Sequence, residues 1–377
     1  MLDCLIVGAG PAGSTAAYHL AKKGHSVLVL EKETLPRYKP CCGGVSPAVA
    51  QWFDFDFQPV INTTVNQVRY SWKSGDVVEV PLNSPQPMWM VQRGEFDQFL
   101  IERAKEQGAE VKQGTEVTGV EARGNGVTVT TSTGSFDARY LIAADGASGP
   151  LAAWLGLKPS KQCLAAALEI ETAVSPENSQ TAHFDFGSLK NGQIWLFPKA
   201  NGYSISAGFL GGKGKEKELE KQLNNFATGL GLDTSKSEYH QSCMNLWSEN
   251  KTLHTSNALL AGETAGLVDP LTAEGIRPSM FSGMKAAEAI SEALGGKRDA
   301  LGEYTKIIEQ EWGSDLVLAQ RLAGLFYKFP KIAYKVGVKR PSAGQLMSKV
   351  LCGELRYSDV TEKAMQRLKS SLIPGRG

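Results

Sequence analysis

The chain has 377 residues, of which 42% are hydrophobic and 21% charged, with a net charge of +1 at pH 7. That is more chain than one core usually organises, so two joined domains are expected, and the near-neutral balance argues against strong steering toward nucleic acid. No apolar run has the length of a bilayer span.

The first thirty residues carry the clearest signal. In DCLIVGAGPAGSTAAYHLAKKGHSVLVLEK, Leu5, Ile6 and Val7 predict a buried strand, and Gly8, Gly10 and Gly13 complete G-x-G-x-x-G. Ser14–Lys23 predicts a helix that Gly24 ends, and Ser26–Leu30 a second strand leading into Glu31. Gly8 permits the tight turn, Gly10 lets the backbone approach a pyrophosphate, and Gly13 lets helix and strand pack closely. The helix N-terminus offers free N–H groups to phosphates, and Glu31 arrives where it can accept hydrogen bonds from ribose hydroxyls. No second G-x-G-x-x-G occurs, so this stretch alone leaves NAD and FAD both open. A strand beginning at residue 2 leaves no room for a signal peptide, and a cytoplasmic location is the expectation.

Next comes PRYKPCCGGVS, with adjacent Cys41 and Cys42. With Cys4, Cys163, Cys243 and Cys352 they make six cysteines without CxxC spacing, which predicts neither a disulfide framework nor a zinc site. The five histidines show no metal spacing, and no metal is expected. Residues 47–90 read as a helix and then strands, with VNQVRYSWKSGDVVEVPL a hairpin. A helix follows over about 95–107. Glu116–Ala122, Val127–Ser132 and Ser135–Arg139 read as a meander, and YLIAADGASG as a separate buried strand ending at Asp145 and Gly146. Between 160 and 250 several strands (AAALEIETAV, TAHFDFG, GQIWLFP, GYSISAGFL) predict a second, mostly antiparallel sheet. Ala258–Ala261 returns to a buried strand, PSMFSGMKAAEAISEAL is a long helix, and the chain is mainly helical from residue 300.

Three separated segments, GAGPAG with Glu31, AADGASG, and LLAGETAGLVDPLTAEGI, are similar to the FAD-binding segments of the flavoprotein hydroxylase superfamily. Within it the chain most resembles the geranylgeranyl reductase family, in style its cyanobacterial members. KPCCGGVSP resembles the family's K-P-C-G-G-G-[LV]-S loop through Lys39, Pro40, Cys41, Gly43 and Gly44. GQIWLFPKANGYSISAG resembles its Y-x-W-x-F-P…G-x-G motif through Trp195, Phe197, Pro198 and Gly208. The chain departs from the pattern at four places. Cys42 replaces the first glycine of the loop, Gln193 stands in place of tyrosine, Ser206 in the first glycine of G-x-G, and Glu263 in place of aspartate.

The resemblance implies an α/β fold: a Rossmann-like FAD-binding domain (1–65, 91–155 and 255–300), an inserted, mostly antiparallel substrate domain (66–90 and 156–254), and a helical C-terminal region (301–377). It implies FAD contacts at Gly8, Gly10, Pro11, Ala12, Gly13, Glu31, Lys32, Cys42, Gly43, Gly44, Arg93, Val117, Asp145, Gly146, Gly262, Glu263, Pro270, Gly275 and Ile276. It further implies NAD(P)H as a transient reductant and hydride delivery from the flavin to C=C bonds of a prenyl diphosphate or of a prenylated lipid or pigment, as in chlorophyll biosynthesis. An isolated alkene is a poor hydride acceptor, so a proton donor must act with it. Cys41 is the candidate by position, with packing against the flavin as the competing reading. Trp195, Phe197 and Tyr203 are the candidate substrate contacts. Two other functions fit the same segments: a flavin-dependent hydroxylase or epoxidase, and a non-enzymatic prenyl-binding escort protein. From Arg321 to Gly377, twelve Lys and Arg against three acids give a net +9, which leaves the remainder near −8. LAGLFYKFPKIAYKVG interleaves basic and apolar residues there, a candidate for peripheral membrane contact.

Overall fold

In the computed structural model, residues 1–124, 126–172, 178–249 and 251–360 are described. The last part of the basic stretch, 361–377, lies outside them. The fold is α/β. Its first sheet has seven strands, in the order Glu110–Lys112, Val27–Leu30, Leu2–Val7, Gly134–Ala143, Gly126–Thr131, Val117–Arg123, with Ala258–Leu260 also paired to Gly134–Ala143. The strands around Leu2–Val7 are parallel, the mark of a β-α-β unit. Their near-continuous apolar runs are buried on both faces. The helix Pro11–Lys22 packs on this sheet between Arg93–Glu106 and Ile276–Leu294. Ala12, Ala16 and Ala17 keep it close, and a Cβ on Gly283 of the long helix would lie 2.2 Å from the Ala12 carbonyl oxygen.

The second sheet also has seven strands, in the order Glu238–Leu246, Lys161–Glu171, Gly202–Gly208, Gln193–Lys199, Thr181–Phe186, Gln67–Trp72, Gly75–Pro81. All its pairings are antiparallel except Thr181–Phe186 with Gln67–Trp72. A third, three-stranded sheet (Gly44–Val45, Met88–Met90, Thr63–Val65) lies at the junction, so the cysteine loop runs directly into it. The chain after residue 300 is helical, as the sequence suggested: Ala300–Ile308, Ser314–Lys328, Pro330–Ala333 and Pro341–Leu351.

Four elements differ from the sequence reading. The third meander strand and the strand before Asp145 are one strand, Gly134–Ala143: its first half pairs antiparallel with Gly126–Thr131 and its second half parallel with Leu2–Val7. No turn residue separates Phe136 from Ala143, so nothing breaks it. Residues 47–60 hold two short 3₁₀ turns instead of a helix, Pro47–Trp52 and Gln58–Val60, each begun near a proline. The first helix begins at Pro11, whose fixed φ suits the first helical turn. A helix at Glu216–Gly229 falls where only strands were expected; it buries Leu219, Leu223, Phe226 and Ala227, at i, i+4, i+7 and i+8.

Beneath that helix lies a buried polar group. Ser71 Oγ is 2.8 Å from His183 Nε2 and donates to Asp185 Oδ2 at 2.6 Å, while the His183 ring faces Phe226. Burial, aided by the Arg69 charge, lowers the His183 pKa from 6.5 to about 4. The folded protein therefore resists a proton that the unfolded chain takes up below pH 6.5. The associated stability is complete above that pH and falls as the pH drops toward 4, by at most about 1.4 kcal/mol per pH unit. Burial raises the Asp185 pKa, an opposite effect that remains when only His183 is changed. Denaturant unfolding of wild type and His183→Asn at pH 7 and pH 5 should show the larger loss in wild type; equal losses would mean that His183 titrates normally.

Candidate active site

The strand Leu2–Val7 ends at Gly8, with φ +101°, where a Cβ would lie 2.3 Å from the Ala144 carbonyl oxygen. A Cβ on Gly13 would come within 1.9 Å of the Gly8 carbonyl oxygen, so this glycine is needed for packing. The turn between them aims the first-turn N–H groups of the helix at an open cleft. Glu31 closes one side of the cleft. Its Oε2 accepts from the Ala9 N–H at 2.8 Å and its Oε1 from the Glu33 N–H at 3.1 Å, which fixes the carboxylate. Arg37 stretches over Gly10, and a Cβ on Gly10 would lie 3.9 Å from Arg37 Nη2. Its guanidinium pairs with Asp97 at 2.9 Å and Glu33 at 3.3 Å.

Asp97 also binds Arg93, through Nε at 2.9 Å and Nη2 at 2.8 Å. Burial alone would lower the Arg93 pKa, but the Asp97 carboxylate and the adjacent Cys41 thiol outweigh it and raise it. At the end of the strand Gly134–Ala143, Asp145 Oδ1 accepts from Thr264 Oγ1 at 2.9 Å and Oδ2 from the Leu151 N–H at 3.0 Å. Burial raises the pKa of both Asp145 and Glu263. Glu263 Oε1 is 3.4 Å from the Asn245 amide nitrogen.

The cysteine loop lies deeper. All six cysteines are free thiols. Cys41 is half-buried and its Sγ accepts from the Gly43 N–H at 3.4 Å. Cys42 points the other way, into the second sheet. Its Sγ lies 3.2 Å from the Ser204 carbonyl oxygen and 3.1 Å from Ser206 Oγ, and burial pushes its pKa up to about 12. Beneath the loop the buried Lys199 ammonium donates to the Cys42 carbonyl at 2.6 Å and the Val91 carbonyl at 2.8 Å. Burial lowers its pKa. A Cβ on Gly43 would lie 2.0 Å from the Val91 oxygen, and one on Gly44 2.6 Å from the Phe197 ring. Tyr38, at the outer end of the loop, donates to Glu169 at 3.0 Å and stacks on His240 at 4.0 Å.

These groups line one cavity of about 540 Å³. Its polar end holds Gly8, Gly10, Pro11, Ala12, Glu31, Lys32, Arg37, Val117, Asp145, Gly146 and Glu263; its middle, Cys41, Cys42, Gly43, Gly44, Arg93, Gly275 and Ile276. Its far end is apolar: Met88, Phe184, Trp195, Phe197, Met244 and Leu351. Four residues singled out from the sequence do not line it. Gly13 and Gly262 serve helix packing, the latter facing Ala12, and Pro270 lies behind the wall. Tyr203 is buried on the opposite face of the second sheet, in the cluster that meets the helix Glu216–Gly229. Arg37 and Lys199 were missed, because a long cation in a polar stretch reads as surface; the only hint was their place beside the glycine loop and the W-x-F-P motif.

The donor set fits FAD. A carboxylate at ribose distance from the glycine turn, a cation over Gly10, a second carboxylate pair at Asp145 and Glu263, and an extended cleft ending in an apolar chamber match the parts of a flavin dinucleotide. Residues 1–307 match the FAD binding domain family. The chain is 31% identical to the digeranylgeranylglycerophospholipid reductase of Methanocaldococcus jannaschii over 327 residues, 82% of each protein. It is 29% identical to the menaquinone reductase of Mycobacterium tuberculosis over 358 residues, 89% of this chain and 86% of that one. A geranylgeranyl bacteriochlorophyll reductase-like protein of Thermoplasma acidophilum superposes with a TM-score of 0.81 at 21% identity, over 98% and 97% of the two chains.

Two substitutions test the site. Lys199→Met leaves two buried carbonyls without their donor, at about 1–3 kcal/mol each, so urea unfolding should show a loss of about 2–6 kcal/mol; a loss below about 0.5 kcal/mol would mean that the ammonium holds nothing in place. Arg37→Ala removes the cation over Gly10 and should weaken FAD retention by roughly tenfold or more, read by flavin fluorescence on dilution; unchanged retention would remove Arg37 from the cofactor site.

Proposed function

This chain belongs to the FAD binding domain family, among the FAD-dependent oxidoreductases related to geranylgeranylglycerophospholipid reductases, and from that premise we propose that it saturates C=C bonds in the isoprenoid chain of a lipid, with NAD(P)H as the source of electrons. The observation that carries the reading is the continuity of the cavity, from the dinucleotide cradle past Cys41 and Arg93 into an apolar chamber walled by Phe184, Trp195 and Phe197. A long hydrocarbon needs such a wall with few polar groups.

FAD, once reduced, supplies the hydride. The chain's own groups do the rest. Glu31, the first-turn amides and Arg37 hold the adenosine and pyrophosphate portions, and Asp145 with Glu263 the ribityl side. The loop Cys42–Gly44 and the segment Thr272–Ile276, which line the same cavity, would flank the flavin ring. An isoprenoid double bond has no carbonyl to take up charge, so a proton must arrive with the hydride. We assign the Cys41 thiol to give it, because it lines the cavity beside the Arg93 guanidinium. The thiolate then regains a proton from solvent. Each cycle adds one hydride and one proton across one double bond. Cys42, turned away and bonded to the second sheet, has no part in the transfer and keeps the loop closed.

Anaerobic NADPH should bleach the purified yellow protein, and a geranylgeranylated glycerophospholipid should restore the oxidised spectrum with a product two hydrogens heavier per bond. Cys41→Ser should keep FAD and its reduction by NADPH but slow reoxidation by the lipid by roughly a hundredfold or more. Reoxidation only by oxygen with a phenol would replace the reading with a hydroxylase, and undiminished turnover in Cys41→Ser would reduce Cys41 to packing.

A further inference from the structure

Where the helix Ser314–Lys328 turns into Pro330–Ala333, two large apolar side chains stand on the surface: Phe329 is 37% exposed and Ile332 39%. Phe329 caps the junction with non-helical backbone, and Ile332 follows in the short helix after it. Exposed lysines surround them, Lys328, Lys331 and Lys335, with Lys328 Nζ 5.5 Å from the centre of the Phe329 ring. The neighbouring cations Arg321, Lys339 and Arg356 pair with Glu249, Asp76 and Glu311. Lys328, Lys331 and Lys335 have no carboxylate partner among the described residues. A single exposed apolar residue is ordinary. An exposed pair ringed by uncompensated cations, in the stretch that carries the chain's excess positive charge, is a different object.

The corner is also connected inward. Phe326, three residues before Phe329, packs its ring against Phe186 at 4.9 Å, tilted by 52°. Phe186 meets Tyr70 at 6.4 Å, Tyr70 meets Phe184 at 5.8 Å, and Phe184 meets Phe197 at 5.6 Å. Phe184 and Phe197 are walls of the cavity. A series of aromatic rings thus runs from Phe326, in the helix that leads to the corner, to the apolar chamber.

We propose that the corner formed by Lys328–Lys335 docks the protein on an anionic lipid bilayer. Phe329 and Ile332 enter the boundary between headgroups and acyl chains, and the three lysines meet lipid phosphates. Two side chains are too small a surface for a stable protein partner, which buries about 800 Å² per side. A bilayer needs only a few inserted residues, because each lysine gains from the collective surface potential of many lipids. Among the described residues no helix is long and apolar enough to cross a membrane, so attachment here is peripheral. The docking is independent of the reaction, since it needs neither reduced flavin nor turnover.

The test is cosedimentation of the full, FAD-loaded chain with vesicles. Phosphatidylcholine–phosphatidylglycerol vesicles should carry the protein down at low salt and release it as salt rises, while pure phosphatidylcholine vesicles should leave it in solution. The double change Phe329→Ser with Ile332→Ser should weaken binding by roughly tenfold, and Lys328→Glu with Lys331→Glu by at least as much. Both variants should keep wild-type FAD content and thermal midpoint, because all four side chains are exposed. Absence of binding to the anionic vesicles, or binding by both variants as tight as that of the wild type, overturns the proposal. So does sedimentation analysis in which these changes dissolve a dimer, which would make the corner a contact between copies.

Discussion

The Lys199 ammonium sits where three parts of the molecule meet. It projects from the end of a strand in the second sheet and donates to the carbonyls of Cys42, in the cysteine loop, and Val91, just after a strand of the small sheet. A charge buried in this way is tolerable only because strong acceptors replace its water. The consequence is positional. With Lys199 below and the Gly43 carbonyl accepting from the Val91 N–H above, the loop has little freedom, and Gly43 and Gly44 are the only residue type that fits between Val91 and the Phe197 ring. Cys41 is therefore presented to the cavity by backbone that cannot rearrange without breaking several buried hydrogen bonds.

The same junction gives meaning to the places where the chain leaves its family's pattern. Cys42 and Ser206 are in contact, so the thiol on the loop and the hydroxyl on the sheet act as one bridge. Gln193 donates from the sheet to the Leu271 carbonyl, in the segment that leads to the flavin ring region. Glu263 reaches Asn245 on the edge strand of the second sheet. All four residues link the second sheet to loops of the dinucleotide-binding part. Their combined effect is to fix the apolar chamber relative to the cradle.

How much of this was legible in the sequence depended on how strongly backbone geometry dictated the residue. Gly8, Gly13 and Glu31 could be read because a strand–turn–helix cradle admits almost no other residues there. Trp195 and Phe197 were picked out by the likeness of GQIWLFP to the family's motif, since alternation along a strand alone also fits an ordinary sheet core. Tyr203 could not be placed, because its face is set by register: Phe197 pairs with Ser204 and Pro198 with Tyr203, which turns Tyr203 away from the cavity. That pairing depends on a turn whose geometry short motifs do not specify. The fused strand Gly134–Ala143 was divided for a similar reason, since its two halves obey different sheet environments. Lys199 and Arg37 escaped because nothing local separates a buried cation from a solvated one; only the tertiary arrangement supplies their acceptors.

Polarity along the cavity follows from the two sheets that enclose it. The parallel sheet brings strand ends and a helix N-terminus to one point: Glu31 and Asp145 stand just past such strand ends, and Arg37 reaches the same point from the loop after Leu30. The antiparallel sheet presents a broad face of alternate side chains, which on the cavity side are Phe184, Trp195 and Phe197. Asp97 joins the two regimes by holding Arg37 at the dinucleotide end and Arg93 beside Cys41. That shared carboxylate lets two guanidinium groups stand close together, one over Gly10 and one beside the Cys41 thiol. Under the proposed reduction, a proton leaving Cys41 would leave a negative charge beside that fixed cation, in a region otherwise walled by hydrocarbon.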